Sequence, residues 1–373
     1  MAQQSKEKID NILLFLFLIA IIWGLFTCAS VSIPYSIKKY GTGWHYALHQ
    51  LLFGVGLGIA AGLFFFKVKI EYLKKISALL FGINLILLFL VFFPKISAEI
   101  NGARRWLKIG PLFLQPAEFL KLSFLIYLSA WFSSKGKQKS RSHFKWQVPF
   151  VFLTVLSVLA AAFAIQRDLS SLVIIGLAGT IIYFFSRAPW WQVLIIGLIE
   201  SSAAWLFIKS SPYRTARVLA FLHPQSDPLG KGYQLKQSLI AIGSGKIFGI
   251  DGGLSLGLSR QKFGFLSQPM TDSIFSVIGE ELGFIGACFL ILLFLLIGWR
   301  ALKIASASHS SFGKLLAAGI GSWIVFQAFF NIAGTIGISP LAGIPLPFFS
   351  YGSSHLLIEF AAAGILLNLS KNG

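Results

Sequence analysis

A carboxylate at the end of a long polar stretch is the residue best suited to chemistry in this chain. Asp272 follows Thr271 and precedes an apolar run that begins at Ile274. A carboxylate at such a boundary can be stabilised by the positive end of a helix dipole. A partly desolvated carboxylate beside basic side chains can instead act as a general base. The residues alone support both interpretations equally.

The polar stretch that leads to Asp272 carries cations that could bind an anion. Together with Asp272 and the start of the next apolar run, it covers residues 212–283. Arg214 and Arg217 share one face of a predicted amphipathic helix, which suits a helix lying in the membrane interface. Glu280 and Glu281 follow inside the next apolar run, where a carboxylate needs a wet cavity or a partner. Basic side chains in the stretch, Lys262 or Arg217, could supply that partner.

A second polar segment precedes another apolar run. Arg104 and Arg105 offer planar donor forks suited to phosphate oxygens. Pro116 suits the first turn of a helix, and Glu118 and Lys121 are spaced to pair on one face of it. This pair either helps the helix to pack or belongs to a functional site, as ionisable residues within a membrane span often do.

Two connectors between apolar runs have features of their own. Gln166, Arg167 and Asp168 form a polar tripeptide, in which Asp168 either caps the following helix or orients Arg167, and we favour the cap. Prolines and glycines between residues 331 and 355 cannot continue a helix. Non-helical backbone at membrane depth needs protein or a water-filled cavity around it. We therefore expect that segment to fold back beneath the long polar stretch.

The composition is that of an integral membrane protein. Of 373 residues, 56% are hydrophobic and only 12% are charged, and a soluble domain has no use for so much apolar surface. The net charge of +19 would suggest nucleic acid in a soluble protein. Here it fits anchoring charges in the loops, so no nucleic-acid partner is expected. Cys28 and Cys288 lie in apolar runs, which excludes a disulfide framework.

Runs of about 20 apolar residues, the length that crosses a bilayer core, recur along the chain. They predict an all-α polytopic membrane protein, a single domain over residues 1–373 with about ten transmembrane helices. The predicted spans are 12–33, 46–66, 76–94, 116–133, 148–165, 169–186, 190–208, 273–299, 314–337 and 353–369.

The distribution of Lys and Arg predicts the orientation. With a cytoplasmic N-terminus, most cations of the short connectors lie inside, so both termini are predicted to be cytoplasmic. These cations include Lys67, Lys69, Lys74, Lys75, Arg187, Arg300, Lys303 and Lys314. Residues of about 95–115, 209–272 and 338–352 then form outer loops, the second being a large extracytoplasmic loop between spans seven and eight. The first two loops are rich in Lys and Arg, although outer loops usually carry few of these residues. Either long loops are exempt from this rule, or the cations face an anionic ligand.

These segments together resemble the SEDS family (shape, elongation, division and sporulation), bacterial ten-span glycosyltransferases that polymerise peptidoglycan. Several motifs in the same order carry the resemblance over most of the chain. They are Arg104–Trp106, Gln115–Glu118 with Lys121, Gln166 and Asp168, 213–224, Gly232–Gln234, Gln261–Lys262, Thr271–Asp272, Glu280–Gly283 and Pro345–Gly352. Within the family, 253–262 and Gly364–Asn368 are more similar to the cell-division branch than to the rod-shape branch.

The resemblance implies a substrate and a mechanism. The substrate is lipid II, the undecaprenyl-pyrophosphate-linked disaccharide pentapeptide, polymerised at the division septum of the bacterial cytoplasmic membrane. Asp272 matches the family's essential aspartate and takes the catalytic role of base. The expected substrate-binding residues are Arg104, Arg105, Glu118, Lys121, Arg214, Arg217, Gln234, Lys262, Glu281 and Ser350.

The resemblance also implies partners and leaves alternatives. The partners are a class B penicillin-binding protein, which is a transpeptidase, and other division proteins, and the reaction releases undecaprenyl pyrophosphate. No cofactor is required by the sequence and no dedicated metal site is visible, although Mg²⁺ or Mn²⁺ is compatible with the chemistry. One alternative is a lipid II flippase, since broken helices and buried carboxylates are compatible with transport too. The other is a rod-shape polymerase of the same family.

The chain departs from the family pattern at several positions. Gln268 stands where the family has a glutamate, so this chain lacks that carboxylate. Ser273 replaces a common Phe, and Arg167 a common Pro. Ala117 replaces a common Ser, and Ser353–His355 differs from the usual Gly-Ser-Ser.

Overall fold

The computed structural model describes residues 9–371 except 94, 101, 102, 111, 136–146, 167, 227–229, 251–258 and 260. Arg167 and most of the 253–262 motif therefore lie outside the described residues. The first half contains α1 (Asn11–Tyr40), α2 (His45–His49), a π-helix (Gln50–Gly56), α3 (Leu57–Lys67), α4 (Ile70–Leu90), β1 (Ser97–Ile100), β2 (Ala103–Ile109), β3 (Leu112–Leu114), α5 (Pro116–Lys135) and α6 (Gln147–Gln166). The second half contains α7 (Leu169–Phe185), α8 (Trp190–Lys209), α9 (Pro212–Leu222), α10 (Lys231–Ser244), α11 (Ile274–Ala307), α12 (Ser311–Thr335) and α13 (Ser353–Ser370).

The predicted polytopic helical architecture is confirmed. Among the described residues, eight helices are long and apolar enough to cross a membrane, counting α2, the π-helix and α3 as one continuous helix, His45–Lys67. The apolar helix α7 is shorter, and α5 is not among the eight. Helix α5 packs against α4, α7, α12 and α13 inside the bundle, which explains how it can carry buried charged side chains in place of apolar ones. The count of ten spans remains a prediction.

The first of the predicted outer loops contains a small sheet that the sequence analysis missed. Strands β1, β2 and β3 form an antiparallel meander between α4 and α5. Its edge is fastened to the bundle because Ser354 of α13 accepts a hydrogen bond from Gln115 N (3.2 Å) and donates one to Phe113 O (2.9 Å). The sheet therefore sits against the same end of the bundle as the start of α13.

The two ends of the described chain meet at the opposite end of the bundle. Asp10, which caps α1, forms an ion pair with Arg300 near the end of α11, with 2.7 Å between Asp10 Oδ2 and Arg300 Nε. The main-chain N–H of Asp10 donates to Ser370 Oγ at 3.1 Å. Residues 10 and 370 thus lie on one side, as the predicted topology requires. The assignment of that side to the cytoplasm remains a prediction.

Helix α11 is broken near its first quarter, where the sequence analysis predicted a continuous span. Gly283 has non-helical dihedral angles (φ 65°, ψ −161°). The N–H groups of Phe284 and Ile285 donate instead to the carbonyls of Lys246 and Ile247, at 2.9 and 3.1 Å. The turn that follows α10 therefore satisfies the backbone groups that the break exposes, as non-helical backbone inside a bilayer requires.

Gly283→Ala is expected to destabilise the protein by about 1–3 kcal/mol or more. The substitution adds a Cβ at a positive φ, and that atom would lie 2.3 Å from Gly249 N and 2.6 Å from Ile247 O. Thermal unfolding in one detergent measures the effect. The matched control is Gly82→Ala, since Gly82 lies within α4 and nothing stands within 4 Å of its added Cβ. Equal unfolding temperatures for the two variants would contradict the strain argument.

Candidate active site

Asp272 lies in a tight turn just before α11. Ser273, not Asp272, occupies the N-cap position of that helix. The turn is closed by Gln268, whose carbonyl accepts from both Thr271 N and Ser273 N at 3.2 Å. Gln268 adopts a positive φ of 54°, and its side-chain Oε1 accepts from Thr271 Oγ1 at 3.2 Å. The amide that replaces the family's glutamate thus contributes an acceptor to the turn.

The segment between α12 and α13 holds this turn in place. Ser350 Oγ donates to Thr271 O at 2.5 Å and accepts from Leu346 N at 2.8 Å. Tyr351 N donates to Met270 O at 2.7 Å. The predicted folding back of this proline-rich segment against the long polar stretch is confirmed.

Asn331 of α12 adds a second fastening to the main chain of the catalytic candidate. Its Nδ2 donates to Asp272 O at 2.9 Å and to Ile344 O at 2.7 Å. Asn331 is buried, with a side chain that joins the turn to the segment between α12 and α13. The contacts from Ser350, Tyr351 and Asn331 all use main-chain oxygens of residues 270–272, so they hold the turn independently of the Asp272 side chain.

Arg217 of α9 and Asp272 converge on Gly343. A Cβ added to Gly343 would lie 3.5 Å from Asp272 Oδ2 and 3.6 Å from Arg217 Nη2. Arg217 Nη1 also donates to Ala342 O at 3.4 Å. The guanidinium and the carboxylate therefore stand side by side over one glycine, a position whose φ of +67° favours glycine in any case.

A small cleft lies beside Arg217, between α9, α10 and the segment between α12 and α13. It is lined by Arg217, Ala220, Phe221, Leu235 and Leu341. Its lining combines one cation with apolar side chains, and its free space is about that of one water molecule.

Gln234 of α10 reaches the same turn from another side. Its Nε2 donates to Ser273 Oγ at 3.2 Å, and Ser273 Oγ donates to Ser267 O at 3.1 Å. The serine that replaces the common phenylalanine of the family is thus fully engaged with its neighbours. Of the predicted binding residues, the structure brings Arg217, Gln234 and Ser350 to the turn that carries Asp272.

Lys262 and Glu281 form a separate buried pair. Lys262 Nζ lies 3.1 Å from Glu281 Oε1, with both side chains at most 5% exposed, and also donates to Ser30 Oγ of α1 at 2.8 Å. Glu280 accepts from Ser259 Oγ and, at 3.4 Å, from Gln261 N. The expectation that a basic side chain of the long stretch partners a carboxylate of α11 is confirmed for Lys262 and Glu281.

The predicted pairing of Glu118 with Lys121 is also confirmed, deep inside the bundle. Their Oε2 and Nζ atoms are 2.8 Å apart, and the two side chains are 4% and 2% exposed. Lys121 Nζ donates to Gln327 Oε1 of α12 at 2.8 Å. Gln327 Nε2 lies 3.4 Å from Glu359 Oε1 of α13, and Glu359 Oε2 accepts from Phe348 N at 2.7 Å. This network, Glu118–Lys121–Gln327–Glu359, joins three helices to the segment between α12 and α13.

Gln327 and Glu359 are site-supporting residues that the sequence analysis missed. A signal for them existed, because polar and ionisable side chains inside apolar spans are rare and usually functional or structural anchors. Glu359 stands in the middle of the predicted span 353–369, and Gln327 in the span 314–337.

The remaining predicted binding residues lie elsewhere at this end of the bundle. Arg104 pairs with Glu99 across β1 and β2 at 3.2 Å, with both side chains about half exposed. Arg105 Nε donates to Gln166 O at 3.0 Å. Arg214 donates to Phe207 O at 3.0 Å and to Ala164 O at 3.3 Å. These arginines bind protein carbonyls or carboxylates here, and their roles toward a substrate remain predictions.

Asp168 caps α7, as predicted. Its Oδ1 accepts from Ser171 N at 3.2 Å and its Oδ2 from Ser171 Oγ at 2.8 Å. The competing interpretation, an orienting contact to Arg167, falls on a residue outside those described.

The fold and the site together define a polytopic membrane protein with a carboxylate fixed beside a cation where its loops meet the bundle. Comparison with known proteins identifies the family. The sequence profile of the FtsW/RodA/SpoVE family, described as cell cycle protein, matches residues 10–373. The chain therefore belongs to the FtsW/RodA/SpoVE family, the SEDS proteins that the sequence analysis expected.

Relatives and solved structures agree. The chain is 36% identical over 370 residues to stage V sporulation protein E of Bacillus subtilis, covering 98% of each chain. It is 35% identical to the probable peptidoglycan glycosyltransferase FtsW of Thioalkalivibrio sulfidiphilus, covering 93% of this chain and 86% of that one. A chain from a structure of a peptidoglycan synthase complex superposes with a TM-score of 0.78 at 26% identity, covering 97% of both. RodA of Thermus thermophilus shares the fold, with a TM-score of 0.69 at 24% identity and coverage of 99% and 97%.

Proposed function

We propose that the chain is a peptidoglycan glycosyltransferase that polymerises lipid II, with Asp272 as its general base. The enzyme class follows from relatives of this name that match almost the whole chain. The observation that supports the assignment of the base is the position of Asp272, on a turn held through its main chain and beside Arg217. Glycosyl transfer from a lipid diphosphate needs such a base and cations for the leaving group.

The reaction follows from these groups. The 4-hydroxyl of the acceptor sugar attacks the anomeric carbon of the donor chain, and the bond from that carbon to the lipid pyrophosphate breaks. The Asp272 carboxylate takes the hydroxyl proton as the new glycosidic bond forms. The displacement inverts the anomeric centre, and the electron pair leaves with undecaprenyl pyrophosphate. Arg217 stands where its charge can stabilise the anionic pyrophosphate.

Metal ions enter this scheme only as a prediction. Within the described part of the chain, no group of three or more His, Cys, Asp and Glu side chains could hold one. Mg²⁺ or Mn²⁺ could still accompany the pyrophosphate of the substrate, and no step above passes through a cation.

The biological setting is also proposed. The name FtsW among the relatives supports septal synthesis at division over elongation. A class B penicillin-binding protein is the proposed partner, because a structural neighbour belongs to a peptidoglycan synthase complex that couples polymerization to crosslinking. The predicted orientation places the Asp272 turn and the cleft on the outer face of the cytoplasmic membrane, where lipid II carries its sugars.

A vesicle assay separates polymerisation from transport. Purified protein and its transpeptidase partner are reconstituted with labelled lipid II, and both glycan length and movement of lipid II between leaflets are followed. We expect glycan chains from outward-facing substrate. Movement of lipid II between leaflets without any chain formation would favour the flippase alternative and overturn the proposed function.

Ser350→Ala is expected to lower the turnover number by about 10-fold. The substitution removes the hydroxyl that fastens Thr271 O to the segment between α12 and α13, so the carboxylate of the next residue loses part of its fixed position. Initial rates of lipid II polymerisation measure the effect. The control is Ser157→Ala, an exposed serine whose hydroxyl donates to Leu153 O within α6. A turnover number equal to that of the control would show that the hydroxyl does not position the turn.

A further inference from the structure

Gln50 occupies an unusual backbone position. It begins the seven-residue π-helix Gln50–Gly56, which interrupts the second long helix of the chain. Such π-turns are rare and occur frequently at functional sites. The side chain of Gln50 is 2% exposed. The absence of a side chain at Gly54 makes room for the Gln50 side chain, since a Cβ on Gly54 would lie 3.3 Å from Gln50 Cδ and 3.0 Å from Leu356 Cδ2.

Both polar atoms of the Gln50 amide bind one turn of the main chain. Its Nε2 donates to Ser350 O at 3.3 Å, and its Oε1 accepts from Gly352 N at 3.1 Å. His355 Nε2 lies 2.9 Å from the same Ser350 carbonyl, so this ring nitrogen must carry a proton to donate. A Cβ at Gly352 would lie 2.6 Å from His355 Nδ1, which leaves only glycine at that position.

This turn is also the one that fastens the catalytic turn. Ser350 Oγ binds Thr271 O at 2.5 Å, and Tyr351 N binds Met270 O at 2.7 Å. The Gln50 amide therefore fixes residues 350 and 352, and residues 350 and 351 fix the two residues that precede Asp272. No atom of Gln50 needs to touch the substrate for this effect.

Tyr351 has a second link to the same helix. Its hydroxyl lies 3.0 Å from His49 Nδ1, and its ring packs edge-on against Tyr46 with 5.3 Å between centroids. Burial raises the pKa of the Tyr351 phenol, so the hydroxyl keeps its proton and can donate. The helix that contains Gln50 thus contacts residues 350–352 through the Gln50 amide and through the rings of Tyr46 and His49.

From these contacts we infer that Gln50 is a positioning residue for glycosyl transfer. Its amide sets the 350–352 turn and, through that turn, the place of the Asp272 carboxylate. This inference rests on the proposed function. It assigns a role to a residue of the second long helix, and none of the expected binding residues lies in that helix.

The test is Gln50→Leu, which keeps the volume and removes both hydrogen bonds. We expect the turnover number per folded enzyme to fall by about 10–100-fold while KM for lipid II stays within about twofold, because displacement of a reacting group impairs chemistry more than binding. Thermal unfolding of the same sample reports the folded fraction. A turnover number per folded enzyme equal to that of the wild type would overturn the inference.

A second variant covers the case in which Gln50→Leu does not fold. Gly54→Ala keeps the Gln50 amide but presses on its Cδ, and we expect a smaller fall in turnover number at unchanged KM.

Gln192→Leu is the control, since Gln192 is an equally buried amide that bonds Tyr183 in the α7–α8 region. This control is expected to lower stability without lowering the turnover number per folded enzyme. If wild type itself makes no glycan, the proposed function fails; if wild type polymerises and both variants match it, only the inference fails.

Discussion

Asp272→Asn is expected to lower the rate of lipid II polymerisation by about 10²–10⁴-fold. Asparagine has nearly the same shape but cannot take the proton of the acceptor hydroxyl. The fold should tolerate the change, because the turn is held through the main chain: Asn331 binds Asp272 O, and Ser350 binds Thr271 O. The measurement is the initial rate of glycan formation, with thermal unfolding recorded on the same preparation.

The control for this prediction is a carboxylate away from the turn. Glu99 is half exposed and pairs with Arg104 across the small sheet, so Glu99→Gln is expected to polymerise at close to the wild-type rate. A rate for Asp272→Asn within about threefold of that control would rule out general-base catalysis by this residue, since proton transfer contributes far more.

Lys121→Met is expected to destabilise the protein by about 3–5 kcal/mol. The substitution removes the only ammonium from the network Glu118–Lys121–Gln327–Glu359, as far as the described residues show. It leaves the Glu118 carboxylate 4% exposed without its ion-pair partner, and an uncompensated buried charge is the costly outcome of breaking such a pair. Thermal unfolding in detergent or lipid nanodiscs measures the loss.

Two controls isolate the buried charge as the cause. Arg104→Met breaks the exposed pair with Glu99, whose side chains are 42% and 53% exposed, and should cost at most about 1 kcal/mol. The double variant Glu118→Gln with Lys121→Met removes both charges and should recover part of the lost stability. If Lys121→Met unfolded at the same temperature as Arg104→Met, the buried pair of Glu118 and Lys121 would contribute no more to stability than the exposed pair of Glu99 and Arg104.

Several features of the site could be predicted because their causes are local. The pairing of Glu118 with Lys121 follows from helical spacing, and the cap by Asp168 follows from its place before an apolar run. Helix α5 begins at Pro116, where proline's fixed φ and missing N–H are tolerated. In each case a residue's own chemistry and a few neighbours determine the outcome.

Other features depend on contacts between distant parts of the chain. The break at Gly283 exists because the turn after α10 supplies carbonyls to Phe284 and Ile285, and no local pattern in α11 announces it. Strands β1 to β3 are short, and such strands are stable only when paired and packed. The same limit hid Gln50, because its importance comes from a turn 300 residues away in sequence.

The family resemblance supplied what spacing could not. On residues alone, Asp272 was equally a helix-end carboxylate and a base. The structure places Ser273 at the N-cap and sets Asp272 beside Arg217 over Gly343, and the role of Asp272 as the base remains a proposal. The amphipathic helix predicted around Arg214 and Arg217 is present as α9, and α9 and α10, both within the described part of the long polar stretch, contribute residues to the small cleft beside Arg217.

The most direct test of Asp272 as the general base is a single-turnover experiment. Enzyme is mixed rapidly with a smaller amount of labelled lipid-linked donor and with a saturating concentration of acceptor. The time course of the first glycosidic bond is then recorded for wild type and for Asp272→Asn. We predict that both proteins bind the substrates with similar affinity and that bond formation in the variant is slower by about 10²–10⁴-fold. Bond formation at the wild-type rate, or a defect confined to substrate binding, would contradict the assignment of Asp272 as the base.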